Sequence, residues 1–108
     1  MSKFLLRASY LPEGVKGLLR DGGTDRRSTI EELVRNVGGS VEAFYYAFGA
    51  DEVYAIADFP DHASAVAVSA RVDASGAVSV SAVPVLTPEE IGEAKQMAGN
   101  SRPPAPEG

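Results

Sequence analysis

SVEAFYYAFGADEVYAIADF, residues 40–59, decides how this chain folds. Its first half is dense in aromatic side chains that favour a pleated surface, and its second half alternates as a half-buried strand does. Gly49, Ala50 and Asp51 interrupt the two, so the stretch reads as an antiparallel hairpin with strands near residues 40–48 and 53–59. A loop over residues 49–52 sets Phe48 opposite Val53. Phe44, Tyr46 and Phe48 then share a face with Val53, Ala55, Ala57 and Phe59, whereas Val41, Ala43, Tyr45 and Ala47 share the other with Tyr54, Ile56 and Asp58.

Upstream, KFLLRASY (residues 3–10) puts Phe4, Leu6, Ala8 and Tyr10 on one face and Leu5, Arg7 and Ser9 on the other, a first strand. Residues 12–20 carry Val15, Leu18 and Leu19 at helical spacing, weakened by Gly14 and Gly17. After Gly22 and Gly23, the recurrence of Ile30, Leu33, Val34 and Val37 predicts a second helix, with Ser28 and Glu31 as its capping box and Gly38-Gly39 as its stop. Downstream of the hairpin, Asp61 is placed to cap a helix whose stripe is Ala63, Val66, Ala67 and Ala70. VSVSAVPVL (residues 78–86) then predicts an edge strand, because Pro84 cannot donate to a ladder. Thr87-Pro88-Glu89-Glu90 starts a terminal helix, and residues 99–108 read as a proline-rich tail.

The order strand, helix, strand, strand, helix, strand is a split βαβ repeat. It predicts an α+β, ferredoxin-like βαββαβ domain over residues 1–98, with an antiparallel sheet of order 4-1-3-2 and the helices on one face. At 108 residues there is room for one such domain. Helices on one side leave the other side of the sheet open, and Leu5, Val41, Tyr45, Tyr54 and Ile56 would form an apolar patch there of a size monomers rarely expose. A homodimer, or a larger assembly built on it, is therefore expected, with the terminal helix as the main alternative cover.

The segments RASYLPEGVKGLLRDGGTDRR, GGSVEAFYYAFGADEVYAIADFPD and ASGAVSVSAVPVLTPEEI together resemble the GYD family, small bacterial proteins of the dimeric α+β barrel superfamily. The resemblance spans most of residues 3–91. It implies the fold and a dimer, and it brings no activity, cofactor or catalytic residue with it. This chain departs from the family at the namesake turn, where Gly49-Ala50-Asp51-Glu52 stands in place of glycine, any residue, tyrosine, aspartate.

The net charge of -5 is the wrong sign for a phosphate-backbone binder, so no nucleic-acid partner is expected. The absence of cysteine excludes disulfides, thiolate metal sites and thiol nucleophiles. Phe4-Leu5-Leu6 is too short for a signal-peptide core and no apolar run reaches spanning length, so no membrane is expected and the cytoplasm is the default. No cofactor and no metal site is expected either.

Arg7, Ser9, Tyr45, Tyr54 and Asp58 project from the open face among aliphatics, with Ser79 and Ser81 beside them. A few polar groups on an apolar surface make a small-molecule pocket, and these five are the candidate ligand-binding residues. An interface between subunits is the competing reading, since interfaces also favour Tyr and Arg. His62, the only histidine, follows the capping Asp61 in a first helical turn and reads as exposed and silent. RDGGTDRR (residues 20–27) could hold an anion at a helix start, but its arginines beside Asp21 and Asp25 read more simply as a surface charge network. The leading expectation is a dimeric protein that binds a small molecule between sheet and partner. Its competitors are an interaction module without ligand and, by fold analogy alone, a cofactor-independent oxygenase or isomerase.

Overall fold

A computed structural model describes residues 1–47, 52–76 and 78–99, the side chain of Glu13 excepted. The elements run β1 (Ser2–Tyr10), α1 (Pro12–Asp21), α2 (Gly23–Asn36), β2 (Ser40–Tyr46), β3 (Val53–Phe59), α3 (His62–Asp73), β4 (Val78–Val85) and α4 (Pro88–Gly99). The four strands form one antiparallel sheet of order β2-β3-β1-β4, the expected 4-1-3-2 order read from the other edge. β4 is an edge strand, as Pro84 requires.

Period-two alternation sorts the sheet into two faces. Phe4, Leu6 and Ala8 of β1 and Val53, Ala55, Ala57 and Phe59 of β3 are all buried. All but Ala8 and Val53 meet Val34 of α2 and Ala65 and Val68 of α3 in one core, at whose centre Phe59 stacks edge-on against Phe4 with ring centroids 5.6 Å apart. Such a ring pair adds roughly 1 kcal/mol beyond its area burial. Small residues set how closely the layers approach. A Cβ on Gly39 would overlap the Asp58 carbonyl oxygen and press on Val34 and Phe59, so the turn into β2 lies directly on the end of β3.

The hairpin departs from its expected register. Tyr46, not Phe48, stands opposite Val53, and Phe44 stands opposite Ala55. A slide of two residues leaves every side chain on its predicted face, because the pleat repeats every two. Val41 is the exception. Between Val41 and Ala43 the ladder advances two residues on β2 for one on β3, a β-bulge that leaves Glu42 unpaired. Val41 consequently pairs with Ala57 and packs on the core, rather than joining the open-face patch as expected. Phe48 and residues 49–51 of the namesake turn lie outside the described residues.

The first crossover also differs. α2 starts at Gly23, five residues before the expected Ser28, so Ser28 is an interior residue and the Ser28–Glu31 capping box is not used. Gly22, with φ 86° and ψ 165°, makes the joint with α1, a backbone conformation that is essentially glycine's alone. At the other end Gly38 takes φ 87° and Gly39 N–H donates to the Val34 carbonyl, the left-handed stop that the glycine pair predicts.

The two remaining caps form as read. Asp61 accepts from Ser64 N–H at 2.8 Å and from Ser64 Oγ at 2.7 Å, and these bonds hold its carboxyl below the ordinary carboxylate range. Thr87 and Glu90 cap α4 reciprocally, at 3.0 and 3.1 Å. α4 nevertheless buries none of its residues, with Ile91 and Met97 more than half exposed, so it provides no cover for the sheet. No helix among the described residues is long and apolar enough to cross a membrane. Of the expected tail, residues 99–108, Gly99 ends α4 and residues 100–108 lie outside the described residues.

Candidate functional site

The open face is ordered in rows that run across all four strands. Ala43, Ile56, Leu5 and Val83 form an aliphatic row through its middle. Beside it lies the row Tyr45, Tyr54, Arg7 and Ser81. Three of the five expected ligand residues are thus direct cross-strand neighbours, and all three are exposed. Ser9, opposite Ser79, lies one step further along this face. Asp58 stands apart, four residues along β3 from Tyr54 and so about 13 Å away. Its carboxylate pairs with Lys3 Nζ at 3.1 Å, and Lys3 also holds Glu42 at 2.6 Å, contacts that raise the Lys3 pKa, Glu42 first and Asp58 second. The face therefore has an aliphatic centre, an aromatic and guanidinium flank, and an ionic end.

The enclosed volume is on the opposite side of the sheet. A cavity of about 360 Å³, partly open to solvent, lies between the covered face and the helices α2 and α3. Leu6, Ala8, Val53 and Ala55 form its floor, and Ile30 and Leu33 from α2 and Val68 and Val72 from α3 form its walls. Its volume is at the small end of the range for small-molecule pockets, roughly 300–1,000 Å³.

Polar groups enter this cavity at a few points. Tyr10 extends the buried face of β1, and burial first, with its hydrogen bond to Tyr46 adding to it, pushes its phenol up to about 12. Tyr46 donates its own hydroxyl proton to the Gly23 carbonyl at 2.9 Å. Arg26 lies with its guanidinium against Gly17 of α1, where a Cβ would overlap it, and only one of its terminal nitrogens approaches Asp21, at 4.0 Å. Asp21 is committed to Arg20, at 3.0 Å. Arg26 Nε and, across the cavity on α3, Ser69 Oγ are buried without a hydrogen-bond partner among the described residues.

A family model described as GYD domain matches residues 4–94. The chain belongs to the GYD domain family. The match takes in all of the sheet but Ser2 and Lys3 of β1, α1 to α3 and every described residue that lines the cavity, so the cavity is part of the GYD domain itself. No curated protein and no solved structure matches the chain.

Sequence reasoning singled out the open-face residues of this GYD domain, weighed Arg26 only within the anion reading of residues 20–27, and passed over Ser69 and Arg71. The signal was present for two of these three. Arg26 continues the α2 stripe one turn ahead of Ile30, and Ser69 lies on α3 between Val68 and Val72, so each is a polar residue at the edge of a core-facing stripe. The anion reading of residues 20–27 divides in two. Arg27 turns outward to Glu31 at 3.3 Å beside a shallow hollow lined by Gly23, Thr24 and Tyr45, while Arg26 turns into the cavity. His62 is exposed, its ring edge-on to Phe4 at 5.2 Å. Among the described residues no group of three or more histidine, aspartate or glutamate side chains is placed to hold a metal ion.

Proposed function

We propose that this GYD-family chain is a small-molecule-binding protein of the cytoplasm, built as a homodimer of ferredoxin-like protomers in the dimeric α+β barrel arrangement. The observation that carries the binding reading is the cavity between the sheet and α2 and α3: a pre-formed, mainly apolar space with a few polar groups at defined points. A guest in that space removes the apolar lining from water, a gain of about 25 cal/mol per Å² of apolar surface.

The homodimer reading rests on the aliphatic row Ala43, Ile56, Leu5 and Val83, which neither α4 nor any other described element covers. A second copy presenting the same row is the commonest way to cover such a surface. The flanking row of Arg7, Tyr54 and Tyr45 favours a second reading of the ligand site, between sheet and partner, with Ser9 and Asp58 at its margins.

Native mass spectrometry of protein purified from its own cells tests both parts together. A dimer mass carrying one small non-protein mass per protomer is the expected result. A monomer, or a dimer whose mass equals twice that of the chain, goes against the corresponding half of the proposal.

A further inference from the structure

We propose that the helix-side cavity selects an anionic amphiphile, a carboxylate or similar monoanion on an apolar body, with Arg26 as the partner of its charge and Ser69 as a second hydrogen-bond donor. This inference rests on the binding reading above and adds to it the chemical class of the ligand.

The charge balance of the lining points to an anion. The chain as a whole carries 15 acidic and 10 basic side chains, yet among the described residues no aspartate or glutamate lines the cavity, while Arg26 and Arg71 both do. In an acidic protein the cavity is thus a local positive site. Apolar walls sharpen this, because a charge facing a low-dielectric space is less screened than one on the surface. A cationic ligand would meet the like charge of Arg26 and Arg71 there.

The hydrogen-bond inventory of the polar lining points the same way. Thr29 donates its hydroxyl proton to the Asp25 carbonyl at 3.0 Å, and Ser75 donates its proton to the Val72 carbonyl at 2.7 Å. Tyr10 lies beside Tyr46, which pushes its phenol further toward the protonated form. Among the described residues the buried polar atoms left without a partner are Arg26 Nε, which can only donate, and Ser69 Oγ. A buried donor without an acceptor costs about 1–3 kcal/mol, and more when it is charged, so an acceptor that reaches Arg26 Nε is favoured over a group that cannot accept. A neutral apolar guest would fill the space and leave that deficit in place. An anionic head beside Arg26 removes it, and the apolar body occupies the space between Leu33, Val68 and Val72.

Isothermal titration calorimetry of the intact chain with three probes of equal chain length, octanoate, 1-octanol and octylammonium, each below its micelle-forming concentration, reads the selectivity without any substitution. Octanoate is expected to bind once per protomer, roughly ten- to a hundredfold tighter than octanol, the factor expected of a hydrogen bond to a charged group, with octylammonium weakest. In Arg26→Gln the advantage of octanoate over octanol should vanish while octanol binding is kept. Ser69→Ala should weaken octanoate by a smaller factor. Equal binding of octanoate and octanol to the unsubstituted protein, or preference for octylammonium, overturns the anion assignment and leaves the binding reading standing. Failure of all three probes to bind overturns both.

Discussion

Leu5→Asp is expected to abolish the dimer while leaving the protomer folded. Leu5 sits at the centre of the open face, paired on one side with Ile56 of β3 and on the other with Val83 of β4, and its side chain points away from the core formed by Phe4 and Leu6. In the proposed assembly this row is covered by its own symmetry mate. A carboxylate there loses its hydration on association, at an effective cost of several kcal/mol per ion, and two-fold symmetry places two of them in each interface. The dimer dissociation constant should rise by at least about a thousandfold, since roughly 4 kcal/mol corresponds to three decades. Sedimentation velocity at micromolar concentration reads the outcome: a dimer for the unsubstituted chain and a monomer with unchanged far-ultraviolet circular dichroism for Leu5→Asp. A variant that remains dimeric would place the interface elsewhere.

Phe59→Ala is expected to have the largest effect on stability. Phe59 has no exposed surface, stacks on Phe4, and lies under the Gly39 turn where β2 begins. Removing a fully buried ring typically costs about 3–5 kcal/mol, because the lost transfer energy is joined by that of the hole left behind. Domains of this size are stable by only about 5–15 kcal/mol, so the variant should lose a large share of its margin. A fall in Tm of at least about 12 °C is expected in a thermal melt followed by circular dichroism. Gly39 offers no relief, since the backbone above the ring has no side chain to move into the hole. A melt within a few degrees of the unsubstituted protein would mean that Phe59 is not the centre of the core.

The faces of the sheet were legible in the sequence because they depend only on parity. Phe4, Leu6 and Ala8 alternate with Leu5, Arg7 and Ser9, and even the two-residue slide of the hairpin moved no side chain across the sheet. The bulge at Glu42 was not legible. Nothing in Val41-Glu42-Ala43 breaks the alternation, and the irregularity follows from tertiary contacts: the Gly39 turn seats Ser40 and Val41 on the end of β3, and Glu42 reaches Lys3. The start of α2 was missed for a local reason, since Gly22 and Gly23 read as a break and Ser28–Glu31 as a cap, whereas a single glycine joint suffices.

The site divides along the same line. Arg7, Tyr45 and Tyr54 were found as a group because cross-strand pairing is predictable once the faces are known. The cavity was not, because it depends on how far α2 and α3 stand from the sheet, and that distance is set by side chains from several elements at once. A stripe that reads as core in one dimension, Ile30, Leu33 and Val34, turns out to pack fully only at Val34 and to line open space at the other two.

The side of the sheet on which a ligand binds is the central claim, and methyl NMR of leucine- and valine-labelled protein titrated with toluene tests it most directly. Toluene carries no charge, so the result does not depend on the preference for anions. Saturable shifts at Leu6, Leu33, Val68 and Val72, with Leu5, Val83 and Val85 unmoved, are the result expected of a guest held between the sheet and α2 and α3. Shifts confined to Leu5, Val83 and Val85, or none at any of the seven, would contradict it.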